Sequence, residues 1–131
     1  MSGSVPIAAV NLTRGVCLAE NVRVASTHWT RFRGLIGTDK SAFQPGQALW
    51  IVPCRGVHTM AMDFPLDVIY LDQAGCAVDV HTGVKPWRFA PVRLRAASVL
   101  ELPAGVVQRS GTAIGDQIEI GDSNQAKETT A

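Results

Sequence analysis

Short runs of β-branched and other apolar residues, separated by turn-forming residues, dominate the chain. "VNLTRGVCLAENVRVA" carries such residues on both sides of an Arg14-Gly15 break and predicts an opening hairpin or two short strands. "QALWIVP" predicts a short strand ended by Pro53, and "GVHTMAMDF" predicts another. "LDVIYLDQAGCAVDVHTGV" reads as two strands about a tight Asp-Gln-Ala-Gly connection. "SVLELP" and "GDQIEIGD" supply two more, the last with Ile118 and Ile120 on one face.

Two segments carry helical signals. In "STHWTRFRGLIG", Ser26 or Thr27 can cap the start, Trp29, Phe32 and Leu35/Ile36 recur at helical spacing, and Gly37 can stop it; Arg31 and Arg33 flank the apolar face. In "PAGVVQRSG", Pro103 opens a short helix where its missing N–H costs little, and Gly111 closes it. "KPWRFAPVRLR", punctuated by Pro86 and Pro91, reads as extended and irregular. The expected fold is α+β and mainly β: a compact, barrel-like or strongly curved antiparallel or mixed sheet of about seven to eight short strands with two short helices, and not a βαβ fold. One domain is expected over residues 5–121, with residues 1–4 and 122–131 as flexible, small and polar termini.

Composition narrows the function classes. The 131 residues carry a formal net charge of +1 with 47% hydrophobic and 18% charged residues, which predicts neither disorder nor a field that would collect nucleic acid. No apolar run is long enough to span a bilayer, and the N-terminus lacks the basic and apolar regions of a secretory signal. Cys17, Cys54 and Cys76 are odd in number, far apart and form no CxxC pair, so reduced thiols in a cytoplasmic protein are expected.

"FRGLIG" (Phe32 to Gly37), "FPLDVIYLD" (Phe64 to Asp72), "VLELPAG" (Val99 to Gly105) and "IGDQIEI" (Ile114 to Ile120) together, in this order, resemble the small bacterial and archaeal proteins of domain of unknown function family 192. The resemblance covers roughly residues 11–121. It implies a compact, mainly β domain with a couple of helices, and no established enzyme activity. Ahead of the Pro-Leu-Asp motif that family usually has an aromatic-methionine-lysine-asparagine-threonine run, where this chain reads "HTMAM" (His58 to Met62). Chemistry at those positions has to be argued from the residues themselves.

If residues 56–64 form a strand, His58, Met60, Met62 and Phe64 share one face, with neighbours about 6.6 Å apart. His58 and Met60 could then converge on a soft ion such as copper(I). Cys54 would lie about 13 Å from His58 in an unbroken strand, and only a bend at Arg55-Gly56 could bring it in. Ordinary packing competes with this reading, because methionine and free cysteine are common core fillers. Asp67, inside the apolar "PLDVIYL", needs hydrogen-bond donors or a partner such as Arg33; a carboxylate pair with Glu101 for acid/base work is the sharper alternative. Lys85, Arg88, Arg93 and Arg95 crowd around Trp87 and Phe89, a pattern that can grip a carboxylate, a phosphate or a partner surface, and His81 could line the same cleft.

Nothing resembles a phosphate loop, a nucleophile elbow or an HExxH helix. The leading expectation is therefore a non-catalytic module for a small ligand or a protein partner, with His58, Met60, Met62, Arg33, Asp67, Arg88 and Arg93 as ligand-binding residues and no cofactor. The alternative is a soft-metal protein (copper or zinc) or a Cys/His thiol-dependent enzyme, centred on Cys54, His58 and Met60.

Overall fold

The computed structural model describes residues 6–27, 40–54, 64–85 and 93–122. They form seven strands: β1 (Ile7–Asn11), β2 (Val16–Ala25), β3 (Gly46–Ile51), β4 (Leu66–Leu71), β5 (Ala77–Val84), β6 (Ser98–Pro103) and β7 (Ile118–Asp122). One short helix, α1 (Val106–Ser110), follows β6, and a single 3-10 turn covers Lys40–Ala42.

The opening hairpin forms as the sequence predicts, with β1 antiparallel to β2 and Gly15 in the left-handed region (φ 65°) at its turn. β4 and β5 pair across the Asp72 to Gly75 turn, where Asp72 Oδ1 accepts the Ala74 and Cys76 N–H groups at 2.9 Å each. The seven strands lie in one sheet, in the order β5-β4-β6-β3-β2-β1-β7. Every neighbouring pair is antiparallel except β2 and β3, so the sheet is mixed. Its two edges meet at one end: a lone Cys76 to Gln117 bridge joins the start of β5 to β7, backed by Gly115 N–H to Ala77 O (2.8 Å) and Ile118 N–H to Gly75 O (2.9 Å). The sheet is thus a curled half-barrel.

Both faces are covered. Leu49, Ile51, Leu66, Val68, Tyr70 and Val99 pack with Phe43 and Phe64 on one face, the two rings 5.8 Å apart. Ala48, Ile69, Leu71, Leu100, Leu102 and Ile118 pack with Val106 and Val107 of α1 on the other. Central strands β4 and β6 are buried at every position, which is why "LDVIYL" and "SVLELP" read as continuous runs without alternation.

The described residues hold one short α-helix, and the segment predicted for the other, residues 26–37, lies outside them apart from its capping positions Ser26 and Thr27. Two expectations need correction. Pro103 does not open α1: it is the last residue of β6, and α1 starts after Gly105, whose left-handed conformation (φ 101°) turns the chain. Asp122 belongs to β7 and not to a frayed tail. The "GVHTMAMDF" strand lies outside the described residues except for Phe64.

A buried polar lock ties the hairpin to the turn before β7. Asn11 Nδ2 donates to Thr112 Oγ1 and Asp116 Oδ2, both at 2.9 Å, and Arg14 Nε donates to Asp116 Oδ2 at 2.6 Å. Burial alone would raise the Asp116 carboxyl, but the hydrogen bonds from Arg14 and Asn11 outweigh it and hold it below the usual carboxylate range.

Candidate functional site

Strand register brings five side chains into one row across the face that carries Leu49 and Val68. Arg23 of β2 is opposite Leu49 of β3, Leu49 opposite Glu101 of β6, Glu101 opposite Val68 of β4, and Val68 opposite His81 of β5. The adjacent row runs Ala25, Ile51, Val99, Tyr70, Asp79. An otherwise apolar face therefore carries a polar strip: Arg23, Glu101, Tyr70, His81 and Asp79.

Glu101 is the most costly member. It is 2% exposed, its register partners Leu49 and Val68 are aliphatic, and its Oε1 finds no hydrogen bond among the described residues. Burial pushes its carboxyl up to about 8, against a weaker downward pull from Arg23. At neutral pH it holds its proton and presents both an O–H and a carbonyl oxygen.

At the β5 edge, Asp79 Oδ2 accepts from Arg93 Nε at 2.5 Å and lies 2.9 Å from His81 Nε2. Burial opposes ionisation of Asp79, yet the hydrogen bonds from Arg93 and His81 prevail and hold it below the usual carboxylate range. The His81 ring stands edge-on to Tyr70 with centroids 5.6 Å apart. Tyr70 is fully buried, and burial pushes its phenol up to about 12; Arg93 pulls the other way, while Asp79, Cys54 and Glu101 add to the rise. Cys54, half-buried, packs against this same face, and its N–H donates to Ala97 O at 2.9 Å.

The structure thus gathers Cys54, His81, Arg93 and Glu101, which sequence pattern singles out in separate arguments, around two residues that pattern reasoning misses, Tyr70 and Asp79. A signal for Asp79 exists in "VDVHTG", where Asp79 and His81 occupy alternate positions against Val78 and Val80. Tyr70 is hidden because it sits in a run that is apolar on both faces.

Asp67 is not part of the strip. Its register places it on the opposite face, beside the start of α1, where Oδ1 accepts the Gly83 N–H (2.9 Å) and Oδ2 accepts those of Gly105 (3.0 Å) and Val107 (2.9 Å). Three backbone donors among the described residues hold its two oxygens. His58, Met60, Met62, Arg33 and Arg88 lie outside the described residues. Among the described residues no three His, Cys, Asp or Glu side chains come together as a metal site. Likewise, no helix among them is long and apolar enough to cross a membrane.

The chain is 31% identical over 115 residues to the UPF0127 protein of Thermococcus sibiricus, an alignment spanning 84% of this chain and 72% of that one. It is 30% identical to the UPF0127 protein of Pyrococcus furiosus, across 84% and 95% of the two chains. In fold it is similar to a crystal structure of a protein of unknown function from Novosphingobium aromaticivorans, with a TM-score of 0.73 at 17% identity over 87% of this chain and 83% of that one. The family DUF192, described as "Uncharacterized ACR, COG1430", matches residues 9–120, nearly all of the sheet and α1 with it, and the chain belongs to that family.

Proposed function

We propose that the chain is a non-catalytic binding domain that takes a small ligand on the polar strip of the Leu49/Val68 face. Glu101 carries this reading. A buried carboxyl with an unmade hydrogen bond costs about 1–3 kcal/mol, and an aliphatic residue between Leu49 and Val68 would avoid that cost. Such a group, perturbed by burial and set among other polar side chains, is a mark of a working site.

The chemistry of the strip favours binding over turnover. Asp79, His81 and Arg93 satisfy one another, which fixes their orientation and leaves none as an evident free base. A protonated Glu101 offers a donor and an acceptor side by side, suited to a hydroxyl, a carboxylic acid or an amide. His58, Met60, Met62, Arg33 and Arg88 belong to this proposal as further contacts from the segments that flank the face in sequence.

The test is a two-dimensional NMR titration of the full chain with a fragment set of small acids, amides and alcohols. Saturable shifts centred on residues 68–70, 79–81 and 101, lost in Glu101→Leu, are expected. Turnover of an ester, amide or phosphate panel that Cys54→Ala or Glu101→Gln abolishes would replace this reading with an enzymatic one.

A further inference from the structure

The Asp79 network uses only one of the two ring nitrogens of His81. Asp79 receives three donors: the Val80 N–H at Oδ1 (2.9 Å), and Arg93 Nε (2.5 Å) together with His81 Nε2 (2.9 Å) at Oδ2. Its carboxyl is held below the usual range, so at neutral pH it is a carboxylate and can only accept. The ring nitrogen that faces it therefore carries the hydrogen, and the neutral ring has its lone pair at Nδ1.

Nδ1 is unclaimed and in reach of solvent. It makes no hydrogen bond among the described residues, and it is not one of the unpaired atoms there that are closed off from water, which are Trp50 Nε1, Glu101 Oε1 and Glu119 Oε1. The His81 side chain is 30% exposed, against 17% for Asp79 beside it. Two contacts hold the ring: the Asp79 bond at Nε2, and Tyr70, which meets it edge-on at 64°. A hydrogen-bond acceptor thus stands at a fixed place on the β5 end of the strip.

The surroundings decide what such an acceptor takes. A carboxylate brings no hydrogen to donate, and the charge of Asp79 on the far side of the imidazole opposes it. An ammonium group meets the charge of Arg93, which already pairs with Asp79. A metal ion would need further ligands, and no three His, Cys, Asp or Glu side chains come together among the described residues. A neutral N–H or O–H fits without any of these costs.

We propose that His81, through Nδ1, selects the ligand of the polar strip: a neutral molecule that donates an N–H or O–H, a carboxamide or an alcohol, and not a carboxylate. Asp79 and Arg93 are positioning residues that act through the imidazole. This rests on the reading of the strip as a binding site and narrows what it binds.

The experiment follows the ring nitrogens of full chain labelled with 15N at histidine, by long-range correlation to the ring hydrogens, which tells a protonated nitrogen from a bare one. A pH series identifies the neutral ring, and His81→Gln assigns its signals. Hydrogen on Nε2 and none on Nδ1 is expected. Titrations then compare benzamide and benzyl alcohol with N,N-dimethylbenzamide and benzoate. At least one of the first two should shift Nδ1 saturably, with the last two at least about tenfold weaker. In Asp79→Asn, whose amide can donate to the ring, the hydrogen should move to Nδ1 and affinity should fall about tenfold or more. Amide dispersion shows whether that variant is folded, and the wild-type tautomer and probe comparison stand without it. Hydrogen on Nδ1 of the neutral wild-type ring, or benzoate or N,N-dimethylbenzamide binding the strip as tightly as the donor probes, overturns this inference and leaves the binding reading intact. No saturable shift with benzamide or benzyl alcohol also overturns it; whether other fragments still bind the strip then separates its failure from that of the binding reading.

Discussion

Asp67 and Glu101 sit on neighbouring strands one residue out of register, so their side chains leave the sheet on opposite faces. Asp67 meets two backbone N–H groups at the start of α1 and a third from Gly83 of β5, whereas Glu101 meets aliphatic side chains and has an unpaired oxygen among the described residues. They are not a catalytic pair. One carboxylate holds the fold together and the other strains it.

Glu101→Gln is expected to stabilise the protein at neutral pH. The folded carboxyl is raised from 4.5 to about 8, so between those values the native state keeps a proton that the unfolded chain releases. Stability therefore falls as pH rises from about 4.5 to about 8 and levels off above that, a loss on the order of 3 kcal/mol by pH 7. Urea midpoints measured across this window should slope downward in the wild type and lie nearly flat in the variant.

Asp67→Ala removes the acceptor for Gly83, Gly105 and Val107 together. Bonds to a charged group are among the stronger ones, and an expected loss of ~2–4 kcal/mol should appear in equilibrium unfolding. Amide exchange should quicken at Gly105 and Val107 before the sheet is affected. Unchanged protection at those two amides would show that Asp67 does not hold α1.

The Asn11, Arg14 and Asp116 lock makes the fold acid-sensitive. The Asp116 carboxyl is lowered in the native state, so its contribution is complete above the ordinary aspartate value of 3.8 and fades as pH falls through the lowered one. Asp116→Asn should lose stability at neutral pH and lose less on acidification than the wild type. In a double-mutant cycle, Asn11→Ala and Asp116→Ala should couple by about 0.5–3 kcal/mol, because they share a direct bond.

Arg93→Gln takes away the strongest ion pair of Asp79. The Asp79 carboxyl should then titrate at a higher pH than in the wild type, read from its side-chain carbon resonance, with His81 still within reach of it. No movement of that titration would mean that Arg93 does not engage Asp79 in solution.

Gly75→Ala should be among the most disruptive single-methyl changes in the chain. It combines a left-handed backbone with a Cβ 2.5 Å from a carbonyl oxygen of β7, and a loss of ~2 kcal/mol or more is expected. Gly83→Ala, at φ 60° with open space around it, isolates the backbone cost alone and should be milder. Thermal melts of the two variants side by side measure the difference.

Much of this fold is legible in the sequence because its strands carry local marks. Gly15 and the Asp72 to Gly75 turn announce their hairpins, and Ile118 with Ile120 announces the inner face of β7. What periodicity does not carry is neighbourhood. Nothing in "QALWI" or "SVLELP" says that β3 runs parallel to β2, or that β6 inserts between β3 and β4. The polar strip depends on that insertion: Glu101, Tyr70 and His81 come from three runs that are brought together only by strand order. Pro103 misleads for a related reason, since a proline that suits the first turn of a helix is equally at home at a strand end.

Ile7 stands opposite Asp122, and β1 lies between β2 and the last strand of the sheet. One flank of β1 therefore stays without a backbone partner until β7 has left the ribosome, and the Asn11 lock waits for Asp116 in the same way. Closure of this domain is a late event in its synthesis, made by contacts more than a hundred residues apart along the chain. A nascent chain stalled before Ile118 would display an open apolar edge, the kind of surface that molecular chaperones hold.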